Sequence, residues 1–173
     1  LLTNVRSGNC TQNCAYCAQS KDSQAEIEKY KRVSDEKLYG DNDLVDEKHL
    51  ARHCIGLSGI GFSDEEIEDL ADRIREMKKK DTQICCSIGF LTEKQARILK
   101  DAGLDRINHN LNSSRSFYPE ICTTHTYDQR VNNIKMLQSL GFEICSGGIV
   151  GMGESKEDIV DMLMDLREIN PES

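Results

Sequence analysis

The fold is decided by the stretch His53 to Gly103. It opens with the apolar run His53-Cys54-Ile55-Gly56-Leu57, turns through Ser58-Gly59-Ile60-Gly61-Phe62, and continues into Ser63-Asp64-Glu65-Glu66. After a helix's length comes Ile84-Cys85-Cys86-Ser87-Ile88-Gly89-Phe90, then Thr92-Glu93-Lys94-Gln95. Ser63–Glu66 and Thr92–Gln95 have the form of capping boxes, in which a hydroxyl and the side chain three residues on satisfy each other's free backbone N–H. Behind the first, Ile67, Leu70, Ala71, Ile74 and Met77 recur at helical spacing; behind the second, Leu99 and Ala102 do so, with Gly103 placed to end the helix. A short apolar run, a Gly/Ser turn and a capped amphipathic helix, repeated, is the pattern of βα units.

The same pattern extends in both directions. Toward the C-terminus it predicts a strand over Arg106–Leu111, a helix over Tyr127–Leu140 with Gly141 just past its end, a strand over Phe142–Val150, and a helix from about Ser155 carrying Ile159, Met162, Leu163, Leu166 and Ile169. Toward the N-terminus, Leu1–Val5 reads as a first strand. Between them, residues 34–50 are amphipathic in places, but Gly40-Asp41-Asn42-Asp43 in their middle predicts a broken helix. The fold class expected is α/β, a partial (β/α) barrel of the TIM type, with about five of the eight units in one domain, residues 1–173. A start at Leu1 and a proline stop at Asn170-Pro171 suggest a piece of a longer domain, and a barrel lacking units should expose edges and be poorly soluble or inactive alone.

Composition narrows the partners. The 173 residues are 38% hydrophobic and 30% charged, with a net charge of −8 and no basic tract, which argues against nucleic acid or an anionic membrane. No leader or membrane-length apolar run is present, so a reducing cytoplasm is expected, and the eight cysteines call for a role other than disulfide staples.

Three of them stand within eight residues directly after the first strand, in Cys10-Thr11-Gln12-Asn13-Cys14-Ala15-Tyr16-Cys17. Three such thiols cannot all pair, and no second Cys-x-x-Cys completes a zinc site. Iron–sulfur ligation suits them better, with three thiolates holding three irons of a cubane and the fourth left open for chemistry. Cys54, Cys85 and Cys145 lie on separate predicted strands; each alone reads as a small core residue, whereas in a closed barrel inward positions of different strands can converge. Cys86 should point away from Cys85 into the core, and Cys122 falls on a loop as a bystander, although either could complete an unusual auxiliary cluster. Asn108, Asn110 and Asn112 alternate with Ile107, His109 and Leu111, so the three amides should face a polar cavity and His109 should face away as a structural residue. His49, His53 and His125 have no ligand-like spacing. Gly147-Gly148-Ile149-Val150-Gly151-Met152-Gly153 ends a strand and opens a helix, but Lys156 stands where a dinucleotide fingerprint needs glycine.

The Cys-x-x-x-Cys-x-x-Cys spacing resembles the radical S-adenosylmethionine superfamily. Asn9–Ser20, Asn108–Asn112 and Cys145–Glu154 together resemble its biotin synthase branch. The resemblance implies a [4Fe-4S] cluster on Cys10, Cys14 and Cys17 that cleaves S-adenosylmethionine reductively to a radical. It implies cofactor contacts at Tyr16, Asn110, Asn112, Arg130, Gly147 and Gly148, and a dethiobiotin contact at Asn108. It further implies an auxiliary [2Fe-2S] or other iron–sulfur cluster on Cys54, Cys85 and Cys145 as the source of sulfur. A flavodoxin- or ferredoxin-type electron donor and a homodimer belong to the same expectation. Asn112 stands where relatives often carry aspartate, and the family's arginine ligand to the auxiliary cluster would lie beyond Ser173. Two alternatives stay open: a hydrogenase-maturase or methylornithine-synthase type of radical enzyme, and a non-catalytic iron–sulfur or zinc carrier.

Overall fold

A computed structural model describes residues 1–172; the last residue of the expected domain, Ser173, lies outside the described residues. Five parallel strands stand side by side in chain order: β1 (Leu2–Arg6), β2 (His53–Leu57), β3 (Ile84–Ser87), β4 (Arg106–Asn108) and β5 (Glu143–Cys145). Helices α1 (Asp35–Glu47), α2 (Asp64–Met77), α3 (Glu93–Asp101), α4 (Tyr118–Ile121), α5 (Tyr127–Ser139) and α6 (Lys156–Ile169) fill the connections. The architecture is the expected α/β one, an open section of a parallel barrel.

Local chemistry explains the helix starts. Ser63, Thr92, Thr126 and Ser155 each cap their helix with reciprocal capping-box bonds, so two orphan backbone donors are satisfied at each start. Gly103, with φ of +94°, turns the chain out of α3.

The strand register sorts the side chains into rungs. One rung runs Leu2, Cys54, Cys85, Arg106, Glu143; the next runs Thr3, Ile55, Cys86, Ile107, Ile144; the third runs Asn4, Gly56, Ser87, Asn108, Cys145. In the middle rung Ile55, Cys86, Ile107 and Ile144 are fully buried in the core formed with the helices. The two flanking rungs, on the opposite face by the alternation of a pleated strand, carry the polar and thiol side chains. Cys86 is therefore a core residue, as the alternation predicts.

Two expectations need correction. The Gly40–Asp43 segment does not break the helix: α1 runs unbroken through it, because Asn42 is buried and bonded rather than solvated. Its Nδ2 donates to the Met77 carbonyl at the end of α2 (3.1 Å), and its Oδ1 accepts from His53 Nδ1 (3.2 Å). Leu38 and Val45 bury the rest of that face. The strands are also shorter than predicted, since β4 ends at Asn108 and β5 at Cys145. Beyond those points the backbone leaves the ladder, and Asn112 takes a left-handed φ of 71°.

At the free edge of β5 the chain returns on itself. The Glu172 N–H donates to the Ile144 carbonyl (2.9 Å), and the Glu172 carboxylate accepts the Ile144 N–H (2.6 Å). Among the described residues no helix is long and apolar enough to cross a membrane.

Candidate active site

The loops after β1, β2, β3 and β4 enclose a cavity of about 300 Å³ at the C-terminal ends of the strands. This is the end at which barrel enzymes build their sites. Cys10, Cys14 and Cys17 all line it, as do Tyr16, Asn108, Asn110, Asn112 and Arg130. The cysteine loop is fastened from both sides. The Ala15 N–H donates to the Ile121 carbonyl (2.9 Å), and the Asn13 side-chain Oδ1 accepts the Thr123 and Thr124 N–H groups at 3.1 and 3.3 Å.

Cys14 is buried, whereas Cys10 and Cys17 are partly exposed. Burial, followed by the neighbouring Cys122, pushes the Cys14 thiol up to about 11, so deprotonation at neutral pH needs a bound metal. A single tetrahedral ion with bonds of about 2.3 Å would draw its sulfurs to within about 4 Å of one another. Cys10, Cys14 and Cys17 are not gathered that tightly: among the described residues the one trio of such ligand atoms within 4.8 Å is Cys14, Cys122 and His125. The loop triad fits separate irons of a multi-iron cluster better than one zinc.

Arg130, on α5, reaches the cavity from behind. Its three guanidinium nitrogens donate to the Tyr118 hydroxyl, the Asn110 carbonyl (3.1 Å) and His125 Nε2 (2.9 Å), none of them an anion. A cation held in a cavity wall by neutral acceptors alone leaves its charge for a ligand to balance, and a carboxylate suits it. Beside it Asn112 Nδ2 donates to the Tyr16 hydroxyl (2.6 Å), which pins the ring next to the cysteine loop. Burial is the main reason the Tyr16 hydroxyl is held well above its ordinary range, so it stays a neutral donor.

The three strand cysteines come together below the cavity. Cys54 and Cys85 are register partners on adjacent strands, and Cys145 stands one rung higher as the partner of Asn108, whose Nδ2 donates to its Sγ (3.3 Å). Burial first, then Cys54 and Cys145, push the Cys85 thiol up to about 12. Arg106 occupies the same rung as Cys54 and Cys85, and its guanidinium pairs with Glu143 (2.5 Å).

Other residues lie elsewhere than expected. Gly147 and Gly148 do not line the cavity. The Gly147 carbonyl instead accepts the Asn112 N–H (3.0 Å), and a Cβ on Gly148 would run into the Met162 side chain. His109, like Ile107 and Leu111, alternates in burial with the partly exposed Asn108 and Asn110; its ring packs against Phe90, and the residue borders the cavity. It is buried, and neither ring nitrogen makes a regular hydrogen bond. Burial first, then the Arg130 charge, hold it down at about 3, so it is neutral. Cys122 and His125 are not bystanders, since they sit against Cys14. Gln12 joins them, its Oε1 lying 3.0 Å from His125 Nδ1.

The chain is similar to known proteins along almost its whole length. The chain is 43% identical over 173 residues to a biotin synthase of Rhodopirellula baltica, covering 99% of this chain and 48% of that protein. It is 40% identical to the biotin synthase of Bacillus subtilis, covering 100% of this chain and 52% of that protein. The chain thus spans about half the length of the curated relatives it matches. Among solved structures it resembles a methylornithine synthase with TM-score 0.86 at 15% identity, over 98% of this chain and 50% of that one. It also resembles a maturase of the [FeFe]-hydrogenase with TM-score 0.76 at 19% identity, over 96% and 39% of the two chains. The family model of the radical SAM superfamily matches residues 4–166, and with that match across nearly the whole barrel section the chain belongs to the radical SAM superfamily.

Proposed function

We propose that residues 1–173 are part of the barrel domain of a biotin synthase, which inserts sulfur into dethiobiotin in a reaction dependent on S-adenosylmethionine. The observation that carries this reading is the pairing of two cysteine sets on one barrel end: Cys10, Cys14 and Cys17 around the cavity, and Cys54, Cys85 and Cys145 on the strands beneath it. Similarity to biotin synthases along the whole chain supports the same substrate. In this reading the first set holds a [4Fe-4S] cluster and the second an auxiliary [2Fe-2S] or related cluster. When bound, these groups supply, respectively, the electron that cleaves S-adenosylmethionine to a carbon radical and the sulfur that enters the product.

The chain's own residues bind, orient and shield. Arg130 pairs with the carboxylate of S-adenosylmethionine, and Asn110 offers its amide to the ribose. Asn112 acts on the same cofactor chiefly through Tyr16, whose hydroxyl it holds (2.6 Å). Gly147 and Gly148 contribute by fixing the backbone of Asn112 rather than by touching the cofactor. Asn108 presents its amide both to the ureido ring of dethiobiotin and to the Cys145 sulfur, which keeps substrate and sulfur source adjacent. Burial and the Arg130 charge hold the nearby His109 and His125 neutral. A flavodoxin- or ferredoxin-type donor, a homodimer and a cytoplasmic location complete the proposal.

The test is anaerobic iron and sulfide content after reconstitution, on the protein and on a Cys10/Cys14/Cys17→Ala triple variant. A residual cluster in the triple variant, lost when Cys54, Cys85 and Cys145 are also replaced, is the expected result. No residual cluster reduces the strand cysteines to core thiols and removes the sulfur-insertion reading.

A further inference from the structure

Cys122 Sγ lies 3.7 Å from Cys14 Sγ, across 108 residues of chain, and both are buried. His125 packs against the same sulfur with Nδ1 at 3.3 Å, and Arg130 reaches its Nε2 at 2.9 Å. The direction of this line of contacts can be derived. A guanidinium only donates, so Nε2 accepts and the proton of the neutral ring is on Nδ1. That N–H faces the Gln12 side-chain Oε1 (3.0 Å) and the Cys122 sulfur. Cys122 can thus accept from the imidazole while its own S–H remains to be given.

Three groups compete for that S–H. Asn13 Oδ1 and Thr124 Oγ1 each stand 3.6 Å away, but both are neutral and Asn13 Oδ1 already accepts the Thr123 and Thr124 N–H groups and the Thr124 hydroxyl, whereas Cys14 Sγ carries negative charge once it is a thiolate ligand. Charged acceptors form the stronger bonds. The same direction argues against a mononuclear metal at Cys14, Cys122 and His125. One imidazole nitrogen is occupied by a cation and the other holds the proton, and the ion would take Cys14 from the loop triad.

We propose that Cys122 tunes the iron–sulfur centre, donating S–H···S to the Cys14 sulfur and raising the reduction potential of the cluster, with His125 and Arg130 as its positioning residues. The inference rests on the reading of Cys14 as a cluster ligand. Hydrogen bonds to ligand sulfur withdraw charge and favour the reduced state, which is a recognised determinant of iron–sulfur potentials.

The experiment is an anaerobic redox titration followed by electron paramagnetic resonance on the reconstituted protein. The signal titrated is the one absent from the Cys10/Cys14/Cys17→Ala variant. Cys122→Ala should keep the iron and sulfide content of the parent and shift the midpoint to more negative potential. Cys122→Ser, which keeps a donor, should restore most of the shift, and His125→Phe should move the midpoint in the direction of Cys122→Ala. An unchanged midpoint in Cys122→Ala with a full cluster overturns this proposal and leaves the proposed function standing. Loss of iron from both Cys122→Ala and Cys122→Ser also overturns it, because Cys122 would then be a ligand. A parent protein that takes up no cluster overturns both.

Discussion

Gly89 is where two loops of the cavity wall meet, and replacing it tests the site's geometry directly. A Cβ at Gly89 would stand 2.6 Å from the Ile60 carbonyl carbon and 2.7 Å from the Gly59 oxygen, and closer still to the Ile60 oxygen. These are backbone atoms, which cannot rotate aside. Reaching ordinary contact at 3.4 Å requires the loops after β2 and β3 to part by about 1 Å. That movement breaks the hydrogen bond from the Phe90 N–H to the Ile60 carbonyl, now 2.7 Å. Overpacking costs about 1–3 kcal/mol and the lost bond a further ~1 kcal/mol, so Gly89→Ala should destabilise the protein by about 2–4 kcal/mol. In a chain of this size that corresponds to a fall in Tm of roughly 5–15 °C. Gly61→Ala is the matched control: it lies in the same β2 loop, has no atom within 4 Å of a built Cβ, and should be neutral or slightly stabilising. Differential scanning calorimetry of the three proteins decides the matter. If Gly89→Ala melts with Gly61→Ala, the close approach of the two loops is not what holds the wall, and the argument fails.

Other outcomes follow from the same chemistry. In α1, Gly40→Ala should stabilise by about 0.5–1 kcal/mol, since its Cβ meets nothing within 4 Å. Asn42→Ala should destabilise by about 2–4 kcal/mol through the partners it leaves at His53 and Met77, both values being read from urea midpoints by circular dichroism. His53 is held down at about 4, chiefly by burial, against an unfolded value of about 6.5. Its neutral form contributes fully above pH ~6.5, and that contribution is lost as pH falls toward ~4, because the unfolded chain takes up the proton first. The loss amounts to about 2–3 kcal/mol, and a His53→Gln protein should show a flatter dependence of the urea midpoint on pH across that window.

The βα grammar is legible wherever its signals are local. Ser63 and Thr92 announce their helices because a capping box is contained in four residues, and the apolar runs at His53 and Ile84 announce β2 and β3 for the same reason. Gly40–Asp43 misleads because what sustains α1 there is a contact with Met77 and His53, supplied by other elements. The ends of β4 and β5 are overrun in the sequence reading for a related cause. Asn110, Leu111 and the Gly147–Val150 segment keep strand-like composition after the backbone has turned away to make loops. At the site, the Cys10–Cys17 spacing is visible because all three thiols sit on one loop. Cys122 and His125 carry no such mark, since their relation to Cys14 exists only after α4 and the first loop have been laced together through Asn13 and Ala15.

The rungs of the sheet divide the molecule's obligations. Ile55, Cys86, Ile107 and Ile144 hold the strands against the helices, while Cys54, Cys85, Arg106, Asn108 and Cys145 occupy the other face. Because adjacent rungs point to opposite faces, a lineage can rewrite one without disturbing the other, and selection on chemistry and selection on folding act on separate sets of codons. The backbone match to a methylornithine synthase at TM-score 0.86 with only 15% identity is what such a division allows: one fold carried by largely different side chains.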